Sequence, residues 1–222
     1  YLHYLEATHG PIDPVRLQEV VALTKGAGTW VVPTMVLWDS AVLGIGKLDT
    51  MRNYPEMKYW PAPATFQGME GVGGWVDRFK KTVAMQKSKA SENQWRYKNR
   101  RQLLKALADG GAGILMGTDS PQMFSVPGFS LHREMQAMSK AGLSTFQILQ
   151  SGTDNVGKYF QSHDSFGRVA VGHRADLILT NSNPLLDVAN VSDRAGVMVR
   201  GKWISEVAIQ KRLAQISRQF GH

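Results

Sequence analysis

The chain has 222 residues, of which 43% are hydrophobic and 20% are charged, a composition typical of a globular protein with a sizeable core. It contains no cysteine, which excludes disulfides and thiolate metal sites but does not fix the cellular compartment. No apolar run approaches the roughly 18 residues of a membrane span, so we expect a soluble protein, either cytoplasmic or exported.

The net charge of +8 is unevenly distributed along the chain. Residues 78–105 carry a charge of +9 with a single acidic residue, Glu92, so the remainder of the chain carries −1. Such a segment is typical of a solvated helix face, and we expect no nucleic-acid partner. A nucleic-acid-binding module is kept as an alternative, because Trp95 and Tyr97 lie among the cations as stacking surfaces would.

The first half of the chain alternates predicted helices and strands. Asp13 and Pro14 start a helix that Gly26 closes, and a β-branched apolar run follows over 29–37. Residues 44–74, rich in glycine, proline and aromatics, indicate an ordered loop or lid. A long helix is predicted over 75–109, and a strand over 113–117. This order predicts parallel β/α units.

The second half begins with an irregular loop and three short helices. They are predicted over 130–141, from Ser144 onward with a capping box to Gln147, and over 153–160, where Asp154 and Asn155 resemble capping residues. Residues 166–205 change character, because short β-prone runs alternate there with glycine, asparagine and proline. A closing amphipathic helix is predicted over 207–220.

Residues 113–121, GILMGTDSP, contain the strongest candidate for chemistry. Asp119 stands at the carboxyl end of the predicted strand, the position where parallel α/β barrels gather their catalytic groups. An aspartate there either caps the following turn or meets a metal or substrate. Ser120 and Ser125 lack a paired His-Asp pattern that would mark a nucleophile.

The order of four motifs resembles the metal-dependent amidohydrolase superfamily, in particular its imidazolonepropionase- and prolidase-like members. These are GTDSP, the LHRE helix, GHRADLIL and VRGKWI, and the resemblance covers about 12–205. It implies an α/β fold, here the C-terminal part of a distorted (β/α)8 TIM-like barrel with a small β-sandwich module. The expected division is barrel over 1–160, β-sandwich over 161–206 and C-terminal helix over 207–222.

The resemblance also implies roles for individual residues. Asp119 would bind a catalytic divalent metal, most simply Zn²⁺, and take a proton from the metal-bound water. His132 would contact the substrate, and His3 is a candidate metal ligand. The implied reaction is hydrolysis of a carbon–nitrogen bond in a small amide, cyclic amide or dipeptide-like substrate.

The ligand set implied by the family is incomplete in this chain. The chain has no His-x-His pair, and its remaining histidines are His9, His163, His173 and His222. One aspartate cannot hold zinc, which takes three or four protein ligands. We therefore expect a C-terminal fragment or one subunit of a split enzyme, inactive alone and completed by a missing N-terminal half or by homo-oligomerisation. A non-catalytic assembly half is the alternative.

Overall fold

The structure is a computed structural model that describes residues 10–39, 47–60, 69–86 and 89–220. Within these ranges the fold is mixed α/β, as predicted, with one small parallel sheet and one small antiparallel sheet. Among the helices of the described ranges, none combines the length and the apolar character that crossing a membrane requires.

A helix and a short strand form the first β/α unit. Helix α1 (Pro14–Gly26) begins as predicted, because the Asp13 carboxylate accepts a hydrogen bond from the Val15 amide at 2.8 Å. Strand β1 (Trp30–Val31) is shorter than the predicted run over 29–37, which is wrong beyond residue 31. Pro33 has no amide for the ladder, and Thr34, at a φ of +45°, turns the chain into helix α2 (Met35–Leu37).

The predicted loop contains short helices, and the predicted long helix is described as two. Helix α3 (Leu48–Arg52) and a 3-10 helix (Pro55–Tyr59) precede helices α4 (Trp75–Gln86) and α5 (Ala90–Asp109). Residues 87 and 88 lie outside the described part, and Lys89 leaves the helical region at a φ of −115° and a ψ of +20°. The predicted end of the helix at Asp109 is confirmed.

Strand β2 (Gly113–Ile114) pairs in parallel with β1, with Trp30 opposite Gly113 and Val31 opposite Ile114. This pairing confirms the parallel β/α arrangement predicted for the first half of the chain. Three helices follow: α6 (Ser130–Lys140), α7 (Thr145–Ser151) and α8 (Asp154–Tyr159). The predicted capping box between Ser144 and Gln147 is present at the start of α7.

The last part of the chain is an antiparallel sheet followed by a helix. Strands β3 (Leu177–Thr180), β4 (Arg194–Val199) and β5 (Lys202–Ser205) pair in the order β3-β4-β5, and helix α9 (Glu206–Gln219) packs against β4 and β5. Arg200 and Gly201, at φ values of +49° and +80°, make the predicted turn between β4 and β5. The predicted β-prone texture is thus a three-stranded sheet.

Buried apolar side chains form two separate cores. The aliphatic core lies beneath β1 and β2, between α1, α5, α6 and α7, and contains Ile12, Val21, Met35, Leu103, Leu104, Leu107, Ala112, Ile114, Met135, Ala137, Met138, Ala141, Leu143, Ile148, Val188 and Val191. The aromatic core joins the segments around α3 and α4 to the loop that follows β2, and contains Met51, Met57, Trp75, Val76, Phe79, Phe124 and Val126.

Candidate active site

The chain beyond β2 is held from both sides as it approaches Asp119. The Leu115 amide donates to the Val31 carbonyl at 2.9 Å, and the Met116 amide donates to the Ser151 carbonyl at 3.0 Å. The Asn155 side chain donates to the Ile114 carbonyl at 2.9 Å. Asn155 was predicted to cap α8, which is wrong, because its amide group instead fixes the strand that leads to Asp119.

Two glycines let β1 press closely against this strand. A Cβ atom at Gly113 would lie 2.5 Å from the Trp30 ring, and one at Gly117 would lie 2.6 Å from the Val32 side chain. Real Cβ atoms do not approach so closely, so both positions require glycine. The backbone two residues before Asp119 is therefore in direct contact with the end of β1.

The predicted strand over 113–117 is wrong beyond residue 114, so Asp119 lies five residues past the end of β2, with its side chain exposed. Its φ of +56° places the backbone in the left-handed region, which is uncommon for residues other than glycine and recurs at functional sites. Its carboxylate makes no hydrogen bond or ion pair with the residues that the structure describes. The described residues therefore give no support to the alternative role of Asp119 as a turn cap.

A chain of hydroxyl groups shapes the loop that carries Asp119. The Ser130 hydroxyl donates to the Val126 carbonyl at 2.9 Å, so it accepts from Ser120 at 2.7 Å, and Ser120 in turn accepts from Thr118 at 2.8 Å. Ser125 lies 3.2 Å from Ser120 and closes the cluster. Connected hydroxyls of this kind reinforce one another in a low-dielectric interior. Sequence reasoning considered two of these serines only as nucleophiles and missed their role in the loop.

His132 lies in the first turn of α6, half-buried, with no hydrogen-bond partner for its buried Nδ1 among the described residues. Burial lowers the pKa of His132, and the positive charge of Arg194 lowers it further. The imidazole is therefore neutral at pH 7 and able to donate or accept one hydrogen bond. Thr118 and Ser130, whose hydroxyl oxygens are 3.3 Å apart, bring the Asp119 segment to the start of the helix that carries His132.

Helix α6 also ties the predicted lid to the site. The Arg133 guanidinium forms an ion pair with the buried Glu56 carboxylate and lies 3.5 Å from the Tyr54 ring centroid. Tyr59 stacks on Phe129 at 4.8 Å, at the end of the loop that begins with Asp119. These contacts place residues 54–59 of the predicted ordered loop or lid beside the loop that follows Asp119.

The described residues do not complete a metal site. No group of three histidine, aspartate or glutamate side chains capable of holding a metal is found among them, and zinc takes at least three protein ligands. The predicted ligand His3 lies outside the described residues, as do His9 and His222. Asp119 alone does not fit a metal ion, so the predicted zinc requires ligands from elsewhere.

The basic segment is formed by α4 and α5, and its aromatic rings are engaged within the helix. Lys98 lies 5.0 Å from the Trp95 ring centroid, and Arg101 lies 4.1 Å from the Tyr97 ring centroid. Arg101 also pairs with Asp39. Cations of the same helix therefore contact both rings that were considered for base stacking.

A family model described as the amidohydrolase family matches residues 73–204, more than half of the chain. The chain belongs to the amidohydrolase family. This confirms the resemblance found in the sequence, and the matched region contains Asp119, His132 and the antiparallel sheet. No curated protein sequence gives a significant match to this amidohydrolase chain.

Solved structures with a similar fold support the assignment. A bottromycin amidohydrolase superposes with a TM-score of 0.65 at 22% identity over 87% of this chain and 41% of its own. A Xaa-Pro dipeptidase, solved with methionine in its active site, gives 0.56 at 18% identity over 84% and 37%. A molinate hydrolase gives 0.52 at 19% identity over 88% and 36%. The chain spans about two fifths of the length of these structures.

Proposed function

We propose that this chain contributes the Asp119 strand end to the active site of a hydrolase that cleaves a carbon–nitrogen bond. The observation that carries the proposal is the position of Asp119, an exposed carboxylate without a partner among the described residues, in the loop that follows a parallel strand of an amidohydrolase-family chain. We propose an amide, cyclic amide or dipeptide-like substrate. Supporting this class, two of the structural neighbours are a bottromycin amidohydrolase and a Xaa-Pro dipeptidase.

The two site residues suit different parts of such a reaction. Asp119 would accept a proton from the attacking water and return it to the leaving nitrogen, because a carboxylate within hydrogen-bond reach can serve both steps in turn. His132 would hold the substrate carbonyl or carboxylate through its neutral imidazole, in which Nδ1 lacks a partner among the described residues. A hydrogen bond between the substrate and the imidazole would satisfy a polar atom that has no partner among the described residues.

We further propose that other residues, from a longer protein or from a second chain, complete the site. The share of the solved neighbours that this chain spans supports this proposal, as does the lack of a three-ligand group within the described ranges. In this proposal residues 1–160 belong to a TIM-like barrel, residues 161–206 to a β-sandwich and residues 207–222 to a terminal helix. The additional residues would supply the ligands that a divalent metal such as zinc needs.

The test compares two exposed aspartates in the complete protein, Asp119 after β2 and Asp109 at the end of α5. Asp119→Ala should reduce turnover of a panel of N-acyl amino acids, dipeptides and cyclic amides by at least a thousandfold while leaving the melting temperature nearly unchanged. Asp109→Asn, at an exposed carboxylate before β2 that pairs with Lys105, is the matched control and should retain turnover. Activity of Asp119→Ala within tenfold of the parent would overturn the proton-transfer role.

A further inference from the structure

A buried carboxylate from α6 holds the chain directly after β1. Glu134 is fully buried, and its two oxygens accept hydrogen bonds from the Met35 and Val36 amides, each at 2.8 Å. These amides lie just beyond Thr34, where the left-handed backbone turns the chain away from the strand direction. Both carboxylate oxygens are thus committed to the backbone of one short segment.

One turn before Glu134, helix α6 also contacts the loop that follows the neighbouring strand, β2. Ser130 precedes Glu134 by four residues, so both side chains lie on one face of α6, and Ser130 is also fully buried. Ser130 closes the hydroxyl cluster of the Asp119 loop. Because β1 and β2 are parallel neighbours, α6 binds the segments that follow the C-terminal ends of both strands, at the same edge of the sheet.

The segments that follow β1 and β2 are in contact, so the hydrogen bonds from Glu134 also affect the backbone position of Asp119. Val32 packs so tightly on Gly117 that a Cβ there would come within 2.6 Å. Val32 lies only three residues before Met35, whose amide Glu134 accepts. Any shift of residues 32–36 therefore presses on the backbone two residues before Asp119.

The charged groups facing Glu134 come from two elements. Asp39, on the segment after α2, raises the pKa of Glu134, and Arg100 of α5 lowers it, as do the two amide donors. Burial is the largest effect, and the pKa rises to about 7. Arg100 also donates to the Pro33 carbonyl at 3.1 Å, and Arg101 pairs with Asp39, so α5 supports the same segment.

We propose that Glu134 is a positioning residue of the candidate active site, which fixes residues 35–36 to α6 so that the ends of β1 and β2 keep a single relative placement. This inference rests on the proposed function, because it takes the sheet edge where β1 and β2 end as the active site. The placement itself is a property of the folded chain and is measurable without a substrate.

Hydrogen exchange of single amides in the complete protein tests the proposal. Glu134→Gln keeps one acceptor oxygen and replaces the other with an NH2 group, which cannot accept a hydrogen bond from the backbone amide that it faces. Exchange at Met35 or Val36 should therefore accelerate about tenfold. The Leu115 and Met116 amides, which bond to Val31 and Ser151, are internal references. Glu19→Gln, at an exposed glutamate of α1 paired with Arg16, is the matched control and should change neither amide. Unchanged exchange at both amides in Glu134→Gln would overturn the proposal.

Turnover separates this inference from the proposed function. On any substrate that the panel identifies, Glu134→Gln should lower kcat about tenfold at an unchanged content of bound metal. Asp119→Ala should leave exchange at Met35 and Val36 unchanged. If Asp119→Ala retains activity while Glu134→Gln alters exchange as expected, the catalytic role of Asp119 fails and the positioning role of Glu134 stands.

Discussion

The two cores of this chain differ in composition, in origin and in what they support. The aliphatic core is built mainly from helix faces and lies beneath the two parallel strands. The aromatic core is built from α3, the 3-10 helix, α4 and the loop between Asp119 and α6, and it supports that loop through Phe124 and Val126. One core therefore holds the strand that carries Asp119, and the other shapes the space around it.

Helix α6 connects the two cores through consecutive charged residues. Arg133 pairs with Glu56 beside the aromatic core, and Glu134 binds the amides of Met35 and Val36 beside the aliphatic core. Buried charges are costly unless they are paired or hydrogen-bonded, and each of these is so satisfied. The two cores therefore meet at helix α6, beside the candidate active site.

The largest expected effect comes from a substitution at the centre of the aromatic core, which tests whether the two cores unfold separately. Trp75 is fully buried and stacks on Trp60 at 5.0 Å and against Phe124 at 5.8 Å. Trp75→Ala should destabilise this core by about 4 kcal/mol, because a large buried ring is lost and a cavity remains. Hydrogen exchange should accelerate at Met57 and Ser125.

The same variant should leave the aliphatic core intact. Protection at Leu115 and Met116, whose amides bond to Val31 and Ser151, should stay within about twofold of the parent. Phe146→Ala, at an exposed ring of α7, is the control and should change stability by less than about 0.5 kcal/mol. Equal loss of protection at all of these amides would show that the two cores unfold as one.

A second prediction concerns pH and is confined to the aliphatic side. Burial raises the pKa of Glu134 from 4.5 to about 7, so between these values the folded chain retains a proton that the unfolded chain has released. Its stabilising contribution is complete below pH 4.5 and is lost as the pH rises through 7. The loss amounts to about 3 kcal/mol at most.

Urea unfolding at pH 5.5 and pH 8 measures this difference directly. The wild-type free energy of unfolding should be higher at pH 5.5, and Glu134→Gln should flatten the difference, whereas Glu19→Gln should preserve it. A wild-type protein equally stable at both pH values would contradict the prediction, as would one whose pH dependence survives in Glu134→Gln.

The sequence predicts what depends on local patterns. The Asp13 cap, the helix end at Asp109 and the capping box at Ser144 all follow from residue types at short spacing, and each is present. Membership of the amidohydrolase family was likewise predictable, because four motifs occur in a fixed order and the family model covers 73–204.

Contacts between distant segments could not be predicted in this way. The bonds from Glu134 to residues 35 and 36 span almost a hundred positions, and Gly113 is required only because Trp30 covers it. The aromatic core joins parts of a predicted ordered loop or lid, a predicted helix and a predicted irregular loop, and nothing in the sequence indicated that they pack together. The metal ligands could not be found, because a single aspartate fixes neither its partners nor their spacing.

The smallest expected effect comes from removing the contact between Asn155 of α8 and strand β2. Asn155→Ala removes the donor to the Ile114 carbonyl, which should cost about 1 kcal/mol, since one partly buried hydrogen bond is lost. The loss should appear as faster exchange at Leu115 and Met116, with Met57 in the aromatic region unchanged. Asn181→Ala, which removes an exposed bond to Asp193, is the control and should leave both strand amides unaffected. Because Asn155 supports only the aliphatic side, acceleration at Met57 would show that strain at the strand end reaches the second core through α6.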